Sequence, residues 1–156
     1  MRKLKVLIGD ADSGFCHARK ALLEYWGFDV IEASDGKEAC ATLISAHVDL
    51  CILDWDLPRM TGIETCRWIR SVELKTQPYI ILLTEKGNPE QTWAAYLAGA
   101  NDFIAKPFNL EDLHFLVSIF AQKVLQQDVV SQQLTHLDPL ELYRRDLTTP
   151  KIHSRV

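Results

Sequence analysis

Short, almost continuously apolar runs alternate along this chain with longer stretches in which apolar residues recur every three or four positions. The runs KVLIG (5–9), LCIL (50–53) and YIILLT (79–84) predict parallel strands covered on both faces. FDVIEA (28–33) and DFIA (102–105) complete a set of five strands. Between and after them, the segments 13–26, 36–45, 62–71, 89–98 and 110–126 carry the helical period. Gly27 and Gly99 follow two of these segments as left-handed caps, Pro89 suits a first helical turn, and Asn109 suits an N-cap. Five strand–helix units in strict alternation predict an α/β fold: an open, doubly wound five-stranded parallel sheet with helices on both faces.

Beyond Gln127 the pattern changes. Val129, Val130, Leu134 and Leu137 prolong the last helical segment until Pro139 interrupts it. The residues from there to Val156 are too few to build a core of their own. The expected organisation is one domain over 1–126, followed over 127–156 by a helical extension or linker.

A net charge of −4 provides no basic footprint for nucleic acid, so direct nucleic-acid binding is not expected. No apolar run approaches the ~20 residues of a membrane helix, and the run behind the basic N-terminus stops at Gly9-Asp10, too short for a signal peptide. Cys16, Cys40, Cys51 and Cys66 form no C-x-x-C pair; they read as small hydrophobes in a reduced, cytoplasmic compartment.

The polar residues that matter lie where the strands end. Asp10 and Asp12 follow the first strand, Asp54 closes the third, with Asp56 two residues on. Thr84 closes the fourth, and the fifth runs into Lys106-Pro107. In an open α/β sheet, ligands bind outside the carboxyl ends of the strands. Converging carboxylates need a cation among them, and an oxygen-only set suits Mg2+. A carboxylate held there is also a nucleophile for phosphorus, while an ammonium and a hydroxyl can take up developing charge on a phosphoryl group. Taken singly, each aspartate is more often a turn former or cap, Thr84 a strand former and Lys106 a solvated cation. Their joint placement carries the reading.

The segments VLIGD (6–10), DLCILDWDLPRMTG (49–62), ILLT (81–84) and GANDFIAKPF (99–108) resemble the receiver domain of bacterial two-component response regulators. The likeness covers residues 4–125 in order and spacing, and the D-x-x-L-P-x-M-x-G and K-P-F elements are specific together. The resemblance implies flavodoxin-like strand order 2-1-3-4-5. It implies Asp54 as phosphoacceptor, Thr84 and Phe103 as switch residues and Lys106 as the site lysine, preceding a cis Lys106-Pro107 bond. It implies Mg2+ held by Asp10, Asp54 and the backbone carbonyl of Asp56. It also implies a sensor histidine kinase or phosphotransfer protein as donor. Output would leave through the face of the fourth helix, fifth strand and fifth helix. The receiver of that output would be an effector protein, a C-terminal effector domain or a second copy. Such a chain is a phosphoryl acceptor rather than an enzyme.

Several departures stand out. The second acidic position after the first strand is Ala11, which leaves Asp12 either as a substitute ligand or, preferentially, as the cap of the following helix. Glu85 brings negative charge beside Thr84. Asp56 and Lys86 carry opposite charges that either pair across the mouth of the site or, preferentially, stay solvated. Trp93, Tyr96 and Phe103 form a candidate aromatic output patch, with Trp93 as half-buried core and Tyr96 as an isolated ring the plainer alternative. Residues 134–145 resemble, in degenerate form, the start of a diguanylate cyclase domain, without that enzyme's glycine-rich motif. Two alternatives remain: a pseudo-receiver that binds partners without phosphorylation, and a phosphatase of the haloacid-dehalogenase type. The second is disfavoured because its D-x-D motif follows the first strand.

Overall fold

A computed structural model describes residues 2–85 and 88–135. Five strands and five helices alternate: β1 (Lys5–Gly9), α1 (Ser13–Tyr25), β2 (Asp29–Ala33), α2 (Gly36–Ser45), β3 (Leu50–Asp54), α3 (Gly62–Ser71), β4 (Tyr79–Glu85), α4 (Pro89–Leu97), β5 (Asp102–Lys106) and α5 (Leu110–Thr135). All strand pairs are parallel, in the order β2-β1-β3-β4-β5. The chain divides into two compact units, Met1–Phe120 and Ala121–Val156. The first contains the whole sheet. Of the second, the described residues are the later turns of α5.

The three central strands are buried throughout or nearly so, and this is why their sequences lack the alternation of a half-exposed strand. Leu7, Cys51, Leu53, Ile80 and Leu82 join Ala39, Leu43, Ile63, Cys66 and Ile69 of α2 and α3 in one buried cluster. All four cysteines are buried free thiols. Burial pushes the Cys16 and Cys66 thiols up to about 11 and that of Cys51 higher still, so they serve as apolar filling.

Gly27 and Gly99 adopt φ of +96° and +97° after α1 and α4, as their sequence positions predict. Asn109 accepts from the Asp112 N–H at 2.8 Å, and Pro89 opens α4. Several element ends differ from expectation by a single residue. β3, β4 and β5 each extend to their site residue or one beyond, because ladder bonds persist there; Trp55 N donates to Leu83 O at 3.0 Å. α5 continues past 126 to Thr135, since no glycine or proline intervenes. The expected division at 126/127 therefore falls inside this helix. Pro139 and most of the cyclase-like segment lie outside the described residues.

Candidate functional site

Register sets the site. Gly9 pairs with Leu53, so the next residues, Asp10 and Asp54, leave adjacent strands at matching heights. Asp54 pairs in turn with Leu83, Thr84 with Ala105, and Glu85 with Lys106. Four strand ends thus bring Asp10, Asp54, Thr84 and Lys106 to one edge of the sheet. Asp10, Asp54 and Thr84 are 5%, 7% and 1% exposed, well below the ordinary exposure of aspartate and threonine.

Buried carboxylates require partners. Lys106 Nζ donates to Asp54 Oδ2 at 2.6 Å, and the Asp56 N–H donates to Asp54 Oδ1 at 3.2 Å. Each carboxylate oxygen keeps a lone pair beyond these bonds. The Lys106-Pro107 peptide is cis, as the resemblance implies. The loop after β3 is held close by Gly62, whose N–H donates to Trp55 O at 3.0 Å. A Cβ at this position would lie 2.2 Å from the Asp54 carbonyl oxygen, so the D-x-x-L-P-x-M-x-G glycine is required by close approach. Leu57, buried, anchors the same loop against the core. Arg59, between Pro58 and Met60, takes the left-handed conformation with φ +65°.

Asp12 caps α1: its Oδ1 accepts from the Phe15 N–H at 3.1 Å and its side chain is exposed. The Asp12 N–H in turn donates to Asp10 Oδ1 at 2.9 Å. Asp56 and Glu85 are exposed; Lys86, the proposed partner of Asp56, lies outside the described residues. Phe103 is half-buried and meets Tyr96 edge to face, with centroids 5.5 Å apart at 87°. Trp93 is 67% exposed rather than half-buried core, since its position on α4 faces away from the sheet.

One residue that the sequence reading passes over is Arg19. Its Nη1 donates to Asp10 Oδ2, with the side chain only 13% exposed. The guanidinium carbon lies 5.5 Å from the Phe108 ring centroid and 5.8 Å from that of Phe15. A signal was available. Cys16 and Leu23 form the buried stripe of α1, and Arg19 stands between them at the i+3 position, where a solvated arginine does not belong.

A family model described as the response regulator receiver domain matches residues 6–118. The chain belongs to the receiver family of response regulators. This receiver is 34% identical over 108 residues to the phosphate regulon transcriptional regulatory protein PhoB of Pseudomonas aeruginosa, covering 69% of this chain and 47% of that one. It is 36% identical over 109 residues to the transcriptional regulatory protein CpxR of Escherichia coli, covering 70% and 45%. It therefore spans about half the length of the curated relatives it matches. Among solved structures, the chemotaxis response regulator CheY4 of Vibrio cholerae superimposes with a TM-score of 0.71 at 30% identity, covering 76% of this chain and 99% of that one. A Francisella response regulator receiver domain gives 0.72 at 28%, covering 78% and 99%. The expected fold class and strand order are those of this receiver.

The receiver family implies a divalent cation, and the donor chemistry here can be tested against it. Asp10 and Asp54 present carboxylates at matching heights on adjacent strands, and the Asp56 carbonyl follows on the same loop. No cluster of three or more His, Cys, Asp or Glu side chains arranged to hold a metal occurs among the described residues. The set fits Mg2+, which takes one or two carboxylates and fills its remaining positions with water. No helix among the described residues is long and apolar enough to cross a membrane.

Proposed function

We propose that this receiver is a phosphorylation switch that accepts a phosphoryl group on Asp54 from a histidine kinase or phosphotransfer protein. The observation that supports it most directly is the 2.6 Å contact of Lys106 Nζ on the buried Asp54 carboxylate. In the reading, an Asp54 oxygen attacks phosphorus. The bond from phosphorus to the donor nitrogen breaks, and its electron pair returns to the donor imidazole. An acyl phosphate remains on Asp54. Lys106 holds the carboxylate in place and then faces the new phosphoryl oxygens, while the Thr84 hydroxyl is placed to donate to one of them. A Mg2+ held by Asp10, Asp54 and the Asp56 carbonyl would supply further neutralisation of phosphoryl charge.

The signal would then reach the α4–β5–α5 face through Thr84 and Phe103. Exposed Trp93, Tyr96 and Leu97 on α4 give that face apolar area for an effector, a C-terminal effector domain or a second copy. The protein acts stoichiometrically rather than as an enzyme, and in the cytoplasm. A second reading is a pseudo-receiver that binds partners without phosphorylation. It is motivated by Ala11, which removes a carboxylate from the cation site, and by Glu85, which brings negative charge beside Thr84. Incubation with phosphoramidate and Mg2+ separates the readings by intact mass. A single phosphoryl group per chain supports the switch, and no incorporation supports the pseudo-receiver. Continuous turnover of a phosphate monoester would instead indicate a phosphatase.

A further inference from the structure

We propose that Arg19 is a built-in counter-cation that occupies the Asp10 carboxylate and competes with the divalent cation for it. The inference rests on the reading of Asp10 as a cation ligand. Both Asp10 oxygens are engaged: Oδ1 by the Asp12 N–H and Oδ2 by Arg19. Asp10 is buried and Arg19 largely so, and a carboxylate left alone there would be strongly destabilised. Asp54 has its own cation in Lys106. The two buried carboxylates at the strand ends are therefore each matched by a cation in direct contact, Arg19 from α1 and the partly exposed Lys106, a neutral set that needs no metal for charge balance. A site with a second carboxylate in place of Ala11 would be left with a negative excess; this one is not.

The guanidinium is also well seated. The Phe108 and Phe15 rings lie near it at cation–π distances. Phe108 directly follows Lys106-Pro107, so one side chain links the end of β1 to the loop after β5. For Mg2+ to bind the Asp10 oxygen, Arg19 must release it or tolerate a divalent charge beside its own. A unit charge about 6 Å from a divalent ion under water-like screening weakens binding roughly tenfold. Tighter seating raises the factor. An Arg19–Asp10 pair that merely fastened α1 to β1 would make no such demand on the ion.

Mg2+ titration by calorimetry, with Mn2+ electron paramagnetic resonance as a direct count of bound ion, tests this on wild type and Arg19→Gln. Tightening of about tenfold or more in Arg19→Gln is expected, and it should shrink in an Asp10→Asn background, where no carboxylate is left for the two cations to contest. Unchanged or weaker affinity in folded Arg19→Gln overturns the inference, as does failure of both proteins to bind the ion. If Arg19→Gln does not fold, the wild type still decides through its arginine side-chain nitrogen resonances. Saturating Mg2+ should shift the Arg19 signal or release it into rapid solvent exchange, and a signal unchanged in both position and exchange overturns the inference. Phosphoramidate labelling run alongside keeps the two readings separate. Labelling without Mg2+ tightening removes the role of Arg19 and leaves Asp54 as acceptor. Tightening without labelling retains Arg19 and removes phosphoacceptance.

Discussion

Lys106 Nζ lies 2.6 Å from Asp54 Oδ2, joining the ends of β5 and β3 across the intervening strand β4. Such a charge-assisted bond holds the carboxylate in one orientation and leaves an ammonium where phosphoryl charge would develop. Lys106→Met should therefore slow phosphoramidate labelling by about a hundredfold while the far-ultraviolet circular dichroism stays native. A rate within twofold of wild type would remove Lys106 from the chemistry.

Asp12 and Ala11 should separate structure from ion binding. Loss of the Asp12 cap on α1 should cost about 1 kcal/mol in urea unfolding with little change in Mg2+ affinity. Ala11→Asp should tighten Mg2+ binding by adding a carboxylate beside Asp10. A large loss of affinity in Asp12→Ala, with stability unaltered, would show that Asp12 is a ligand.

Trp55 follows the acceptor directly and is half-buried against the core. Mg2+ should change its fluorescence, and Trp55→Phe should abolish that component against the background of the other tryptophans. A response that survives the substitution places the reporter elsewhere.

Asp49, at the opposite end of β3, makes stability depend on pH. Burial alone would raise its carboxyl pKa, but the Lys5 N–H at 2.8 Å, His47 at 2.9 Å and Arg2 at 3.0 Å together hold it below the usual range. A depressed folded-state pKa stabilises fully above the unfolded value of about 3.9 and is lost as pH falls through the folded value. Asp49→Asn should be less stable at neutral pH by roughly 2 kcal/mol. It should also show a flatter acid limb below about pH 4. An acid limb as steep as that of wild type would assign the dependence to other carboxylates.

The strands, the helices and the strand-end residues were legible because apolar runs and turn residues act locally. Asp54, Thr84 and Lys106 could be placed together because parallel α/β topology delivers every strand end to one edge. Ends shifted by a residue because ladder bonds such as Trp55 N to Leu83 O depend on the neighbouring strand. The left-handed backbone at Arg59 carried no local signal, since that conformation more often selects glycine or asparagine. Arg19 was visible only as a misplaced charge on an apolar stripe. What it neutralises, Asp10, comes from another element, and only packing brings the two together.

The proposed switch depends first on Asp54 as the acceptor. Wild type and Asp54→Asn, treated with phosphoramidate and Mg2+, should be compared by intact mass and by peptide mapping at low pH. One acid-stable, base-labile phosphoryl group per wild-type chain is expected, mapped to Asp54, and none on a natively folded Asp54→Asn protein, because the amide is a poor nucleophile. A label of equal amount on Asp54→Asn, or one mapped to another residue in wild type, would contradict it.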